Sequence, residues 1–469
     1  MYCPPRPTPL AAVVSLLRSA ARGGGDLMSL LPAKAYRVRA GWLGYSRRGI
    51  LIVNDPELLR EVLTDPSGIY PKNDLMAGAL EPLVGNSIFV SHGDVWRRQR
   101  RMIDPAFSHM RLGKAFVSMS AALDDYEQRL DAHCDSGEPF SLDLAMSHLT
   151  ADIICRTVFS TSLRSQTAVD VFESFTVFER TCAQVELKRL IFDKPFAAIP
   201  QHPEVLAACE RIRHHLGELV DSHLGAPPRD GEGTEGGGSG EGAVAWDDIA
   251  AEVIAARDLE SGAAFTRKEL LDQLGVMFLA GHETTASALI WTFMILGLQP
   301  QAMARVRAEV DAAGEGPLSL EQVRRMAFVR NVFKETLRLY PPIPFIPRVA
   351  AEDSVIGGHR AKRGTMLMIA PWTIHRHRDL WEHPHAFDPD RFSAEREHEL
   401  IPGAYLPFGL GPRVCIGAGF AQLEASLILA RLCRRYDFEV LEADRIRPVA
   451  RLTTRPEKQL MCRVRRRSA

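Results

Sequence analysis

One stretch of this chain, Leu274 to Leu298, is almost wholly apolar and is broken only by His282-Glu283-Thr284-Thr285. Such a run has two possible destinations. It exceeds the ~20 residues that span a bilayer, but an acid near its middle is costly in lipid. A helix that is apolar on all sides can instead thread the core of a large protein. At ~1.5 Å per residue it would reach ~38 Å, enough to cross a whole domain. The chain has 469 residues, is 46% hydrophobic and carries a formal net charge of −1. That is enough apolar material to wrap such a helix, with no global drive toward nucleic acid or anionic membranes. A core helix, not a transmembrane anchor, is the expectation.

Helical spacing of apolar residues predicts further helices over Ala115 to His133, Leu142 to Phe159, Ala168 to Val185, Pro203 to Leu224, Arg267 to Leu298, Ser319 to Leu339 and Gly419 to Tyr436. Strand-like pieces are short: Ala35 to Arg39, Ile50 to Val53, Ser354 to Ile356, Met366 to Ile369 and Phe438 to Leu441. No βαβ alternation appears, so the expected class is mainly α with small β-sheets. Residues 225–243 are rich in glycine and acids, cannot bury apolar area, and read as a disordered insertion within one domain over 1–469. Residues 1–35 read as a short amphipathic lead-in. Eight cysteines are scattered without a C-x-x-C pair, a pattern expected of a reducing, cytoplasmic location. The basic tail Arg463, Arg465, Arg466 and Arg467 reads as a solvated end.

The chemistry-bearing segment is Phe408-Gly409-Leu410-Gly411-Pro412-Arg413-Val414-Cys415-Ile416-Gly417, just before a helix. Glycines allow a tight turn, and a helix N-terminus aims N–H groups at the sulfur. That favours the thiolate, the metal-binding form. With Arg413 two residues before it, Cys415 suits an axial ligand of a haem iron, the arginine pairing a propionate. In the central run, Thr284 can bond back to a carbonyl near 280 and loosen the helix there. The histidine-rich stretch His375, His377, His383 and His385 is a candidate zinc or nickel site.

F-x-x-G-x-R-x-C-x-G at 408–417 resembles the signature of the cytochrome P-450 superfamily, and every fixed position is met. The resemblance spans about 60 to 460 and includes other elements in order. Ala280-Gly281-His282-Glu283-Thr284-Thr285 resembles the oxygen-activation motif, which would make Glu283 a proton-relay carboxylate and Thr284 the hydroxyl over the iron. Glu335 and Arg338 resemble E-x-x-R, with Arg391 completing a structural cluster; Trp96 and Arg100 resemble W-x-x-x-R. By the same resemblance Trp96, Arg100, Arg348 and Arg413 donate to the propionates, and Phe408, Cys415 and Gly417 border the cofactor, haem b (iron protoporphyrin IX). The implied fold is the triangular cytochrome P-450 fold, with the long helix over the haem, in a soluble bacterial-type member.

The implied reaction inserts one atom of O2 into a lipophilic substrate, terpenoid, fatty acid or steroid-like, within walls that include Phe278, Leu279, Ala280, Ile343, Phe345, Ile346, Leu452 and Thr453. No G-x-G-x-x-G or ferredoxin-type cysteine set follows Cys415, so electrons are expected from a separate ferredoxin or flavodoxin with its NAD(P)H reductase. Arg97, Arg98, Arg101, Arg434 and Arg435 are candidates for a basic docking face. The alternatives are a peroxide-driven haem-thiolate enzyme and a non-catalytic haem-binding protein; retention of Glu283-Thr284 argues against both.

Overall fold

The computed structural model describes residues 2–467 apart from 12, 16, 18–25, 44–45, 183–188, 190–191 and 226–247. The glycine-rich insertion therefore lies outside the described residues, except Gly225 itself. The axis of the molecule is the helix Arg267–Leu298, with the boundaries the apolar pattern predicts. It starts on a reciprocal cap, in which the Thr266 side chain accepts from the Glu269 N–H and the Glu269 carboxylate accepts from the Thr266 N–H. It ends at Gln299, before Pro300 opens the helix Pro300–Asp311. From Leu270 to Leu296 every residue is buried except Ala280, Gly281 and Thr284. No helix among the described residues is long and apolar enough to cross a membrane.

Helices Leu142–Phe159, Pro203–His223 and Ala418–Arg435 pack on this axis, Gln166–Cys182 reaches it through Phe175, and His109–Ser136 packs on Leu142–Phe159 and Ala418–Arg435. Helix Leu142–Phe159 packs very closely on the axis: a Cβ at Gly281 would meet Ile154 Cδ1 at 2.4 Å. Gly281 thus serves helix packing, and the open side belongs to Ala280.

Four strands form the larger sheet, in the order Ala40–Trp42, Ile50–Val53, Met366–Ile369, Ile346–Val349. Its central pair is parallel and its flanking pairs antiparallel. Phe140–Ser141, Met461–Arg466 and Tyr436–Val440 form a second sheet. Two small hairpins complete the β structure, Ser354–Ile356 with His359–Ala361, and Pro448–Ala450 with Thr454–Pro456.

Three expectations fail locally, each for a physical reason. Ala35 to Arg39 is not a strand: a 3-10 turn covers Ala33–Tyr36, and Asn54 Nδ2 donates to the Ala35 and Val38 carbonyls at 2.8 and 2.9 Å, taking acceptors a strand would need. Ser319 to Leu339 splits into Leu320–Arg325 and Ala327–Leu339, because the Glu309 carboxylate accepts the Phe328 and Val329 N–H groups and so caps a second start. The basic tail is the strand Met461–Arg466, whose Arg466 pairs with Asp131 and Asp135; beyond it Arg467 pairs with Asp311. Part of the lead-in lies against the body, where Pro5 O accepts from the Tyr340 hydroxyl at 2.6 Å.

Candidate functional site

The cysteine loop is built from hydrogen bonds internal to it. The Cys415 N–H donates to Phe408 O at 2.9 Å and closes the turn. Gly411 sits at φ +75, where a Cβ would also meet Leu63 O at 2.8 Å, so only glycine fits. Gly417 is different: its φ is −87 and nothing lies within 4 Å of a Cβ built there. It borders open space, and the helix Ala418–Arg435 begins immediately after it. Cys415 retains accessible surface beside it, although protein atoms crowd around the sulfur. Desolvation pushes its thiol up, opposed by the Gly417 N–H and the Arg100 guanidinium. The loop therefore supplies stabilising donors without making a free thiolate by itself; a coordinated metal would complete the deprotonation.

Beside the loop three cations converge. Arg413 stacks its guanidinium over the Trp96 ring at 4.5 Å and donates through Nη2 to Ser91 O at 2.8 Å, while its buried Nη1 has no partner. Arg348 is buried, and its one side-chain hydrogen bond among the described residues is Nη1 to Pro347 O at 3.2 Å. Lys72, bridged to Arg348 through the backbone, donates to Phe89 O. Among the described residues none of the three has an ion-pair partner. Burial, together with the other cations, lowers Lys72 far below its ordinary value and Arg348 to about 10; burial also lowers Arg413 to about 10. The one acid acting on both arginines, Asp65, accepts the Ile69 and Tyr70 N–H groups instead. Three desolvated cations with an orphan donor fit a group carrying carboxylates. Lys72 carries no motif, and the sequence offered no signal for it.

Arg100 does not join them. Its Nε pairs with Asp104 at 2.6 Å, one helical turn on, and its Nη1 donates to Val414 O at 2.7 Å. The adjacent acid captures it, and it braces the loop beside Cys415.

The buried cluster behind the loop is saturated. Glu335 and Arg338 meet through two bonds of 2.7 Å, both side chains fully buried. Arg338 also donates to the carbonyls of His375, Pro384 and Ala386, while Arg391 Nε lies 3.4 Å from Glu335 Oε1. His375 donates Nδ1–H to Arg338 O and accepts the Leu406 N–H on Nε2. Both ring nitrogens are occupied, and no metal cluster forms among the described residues of the His375 to His385 stretch.

On the central helix, Thr284 Oγ1 donates to Ala280 O at 2.7 Å. Glu283 faces the C-terminal hairpin. The central helix positions that hairpin itself, since Ser287 Oγ and Trp291 Nε1 both donate to Thr454 O, at 2.8 and 2.7 Å. This sets Thr453 and Arg455 against Glu283: the Thr453 hydroxyl donates at 2.6 Å, Arg455 Nε at 2.9 Å, and Arg455 Nη2 donates to the second oxygen. Burial raises the Glu283 carboxyl, but Arg455 together with its other close polar neighbours outweighs burial and holds the group ionised, well below the carboxylate range. Thr453, expected on a lipophilic wall, is a polar partner of Glu283. Phe278, Leu279 and Phe345 are core residues, whereas Ala280, Ile343 and Ile346 retain exposure. Phe278 lies ~200° around the helix from Ala280, and packs on Phe175, ring centroids 5.4 Å apart.

The proposed docking arginines are largely neutralised. Arg97 pairs with Asp94, Arg98 with Glu269, Arg101 with Asp258 and Glu260, and Arg435 with Glu127 and Asp131; Arg434 donates to the Gly314 and Gly316 carbonyls.

A family model described as Cytochrome P450 matches residues 4–463. The chain belongs to the cytochrome P450 family. It is 31% identical to cyclooctatin synthase of Streptomyces melanosporofaciens over 94% of this chain and 90% of that protein. It is also 31% identical to cyclooctat-9-en-7-ol 5-monooxygenase of the same organism, over 84% and 79%. The cytokinin hydroxylase of Arabidopsis thaliana is 30% identical over 89% and 78%. Among solved structures, a cytochrome P450DA heme domain superposes with a TM-score of 0.79 at 24% identity, covering 100% of this chain and 98% of that one. The mainly helical fold with small sheets is thus the P450 fold, as the resemblance implied. The protein is a cytochrome P450 monooxygenase, a haem-thiolate enzyme that takes O2, a small-molecule substrate and electrons from a redox partner.

Proposed function

We propose that this P450 oxidises a lipophilic terpenoid alcohol or hydrocarbon, with haem b held between the Cys415 loop and the opening in the central helix. The observation that carries the reading is the coincidence of three features. An otherwise buried helix opens only at Ala280, Gly281 and Thr284; Cys415 is exposed beside an open Gly417; and Lys72, Arg348 and Arg413 have no ion-pair partner among the described residues. Cys415 would ligate the iron, and Lys72, Arg348 and Arg413 would pair the propionates, with Trp96 fixing Arg413 by stacking. Haem, when bound, supplies the O2 chemistry that leaves one oxygen atom in the substrate and the other in water.

The chain's own residues manage protons and water. Thr284 presents a hydroxyl at the opening, its hydrogen directed to Ala280 O in the resting helix. Glu283, one residue before it, is the acid that would return protons to that hydroxyl. Ala280, Ile343 and Ile346 would present apolar surface to substrate and exclude water. The terpenoid assignment rests on the names of the two Streptomyces relatives and on that apolar surface. Electrons would come from a separate ferredoxin or flavodoxin with an NAD(P)H reductase. The whole chain would act as one unit, because Arg413 and Val414 of the cysteine loop bond to Ser91 and Arg100.

The test is the absorption spectrum of the reduced, carbon monoxide-bound protein, followed by binding of geranylgeraniol as a diterpene probe. A red-shifted thiolate-type Soret band that is lost in Cys415→Ser, and a probe-induced spin shift, are expected. A band at the histidine-ligated position sinks the assignment of Cys415, and the absence of any shift with terpenoids sinks the substrate class.

A further inference from the structure

Glu283 and Thr284 stand side by side in the chain, yet no hydrogen bond joins their side chains among the described residues. The Thr284 hydroxyl donates to Ala280 O, and the Glu283 carboxylate is held by the C-terminal hairpin. Oε1 accepts both the Thr453 hydroxyl and Arg455 Nε, and Oε2 accepts Arg455 Nη2. Three of the roughly four lone-pair sites of the carboxylate are therefore filled. The same Arg455 Nη2 donates to Ser147 Oγ, on the helix Leu142–Phe159, at 3.1 Å. The backbone that carries Arg455 is pinned one residue earlier. Thr454 O accepts from Ser287 and Trp291, its N–H donates to Pro342 O at 2.9 Å, and its hydroxyl donates to Pro341 O at 2.6 Å. The Arg455 side chain has room that its backbone lacks: a pocket of about 270 Å³ lies against it and against Glu283, rimmed by the exposed Arg451, Glu457 and Lys458.

A protonated Glu283 does not keep this arrangement. The proton removes the charge that Arg455 pairs with and leaves a buried guanidinium without compensation, which is strongly unfavourable. We propose that Arg455 is a swinging gate on the relay: it fixes Glu283 against the hairpin while the acid is ionised, and turns into the pocket whenever Glu283 carries a proton. The inference rests on the reading of Glu283 as the acid that serves Thr284. It makes Arg455 a positioning residue, since it acts through Glu283. The hairpin backbone stays in place and only the side chain moves. The pocket offers the released guanidinium two carboxylates, Asp143 from the helix Leu142–Phe159 and Glu457 just beyond the hairpin, while Arg451 and Lys458 oppose its entry. Two other titratable groups face Glu283. They are Glu179, from the helix Gln166–Cys182, and His282, and the ligand atoms of all three lie within 4.8 Å of one another. His282 directs Nδ1–H to Phe278 O at 2.8 Å, and burial keeps the ring neutral, pushing it down to about 4. Arg455 is thus the cation that Glu283 touches.

Two measurements on the haem-loaded protein test the gate. Glu283→Gln is a neutral isostere of the protonated acid, and its crystal structure should show the Arg455 guanidinium displaced into the pocket. Arg455 still bonded to the side chain at position 283 overturns the proposal. The second measurement is the pH profile of kcat, driven by NADPH with a plant-type ferredoxin and its reductase, on geranylgeraniol. Wild type should show no limb from Glu283, whose carboxyl is held well below the range assayed. In Arg455→Gln burial meets less opposition and the carboxyl rises, so the acid keeps its proton at low pH. There kcat should be retained, and above the raised value it should fall ~10-fold per pH unit, with KM and the carbon monoxide spectrum unchanged. Arg455→Lys, which keeps a cation on the hairpin, should restore the wild-type profile. A wild-type profile in Arg455→Gln, with kcat lowered in Glu283→Gln, would overturn the gate and leave the relay intact. Unchanged kcat in Glu283→Gln would remove the relay reading and the gate with it. Loss of the thiolate-type band in both Arg455 variants would make this arginine structural and overturn the gate as well.

Discussion

Two charged clusters in this P450 have nearly the same ingredients and opposite states. Glu335, Arg338 and Arg391 are buried with the carboxylate engaged from several sides, down to the Asp388 N–H at 2.9 Å. Lys72, Arg348 and Arg413 are cations held close together without an ion-paired acid among the described residues, one of them with an orphan N–H. Buried charge is costly unless paired and hydrogen bonded. The first cluster meets that requirement within the chain and serves the fold. The second meets it only when something anionic arrives, which marks it as a binding site.

The largest effect that would sharpen this contrast is in the saturated cluster. Glu335→Gln leaves two buried guanidinium groups without their carboxylate and should cost ~3–5 kcal/mol, read by denaturant unfolding of the haem-free protein. Next, Lys72→Met or Arg413→Leu should leave haem-free stability unchanged or raised, since a poorly paired buried cation is removed. The same variants should speed haem loss by ~10-fold or more, the value of a charge-assisted hydrogen bond. If they destabilise the haem-free protein as much as Glu335→Gln does, the comparison fails.

The saturated cluster also has a pH signature. Burial, with Arg338 and Arg376 nearby, pushes His375 down to about 3, against an unfolded value near 6.5. The unfolded state therefore binds the extra proton first. The stability conferred by neutral His375 is complete above pH ~6.5 and is lost progressively as pH falls toward 3. Thermal midpoints should fall across that window, and His375→Gln should flatten the slope. His282 and His385, each lowered to about 4, leave a residual slope. The smallest effect is at the surface: Arg97→Ala removes a pair with Asp94, both side chains more than half exposed, and should change stability by less than ~1 kcal/mol.

Several features were legible because they are local. Glu335 and Arg338 meet because three residues apart on a helix is one face. Thr284 bonds to Ala280 O for the same reason at four. The central helix was delimited by the helical spacing of its apolar residues. Other readings failed where a distant group intervened. Asn54 consumed carbonyls a strand would need, Glu309 capped a helix start that has no sequence cap, and Asp104 captured Arg100. The acids that neutralise the docking arginines lie up to several hundred residues away, as Glu127 does from Arg435.

By itself, the sequence determined the family, the mainly helical class, the buried axis and the cysteine loop, because each is written in short-range spacing or in an unbroken motif. Only the tertiary structure decided what Glu283 faces, that Lys72 stands with Arg348 and Arg413, and that Thr453 and Arg455 bond to Glu283. These contacts join segments far apart in the chain. They depend on which helix face meets which hairpin, and no local periodicity encodes that.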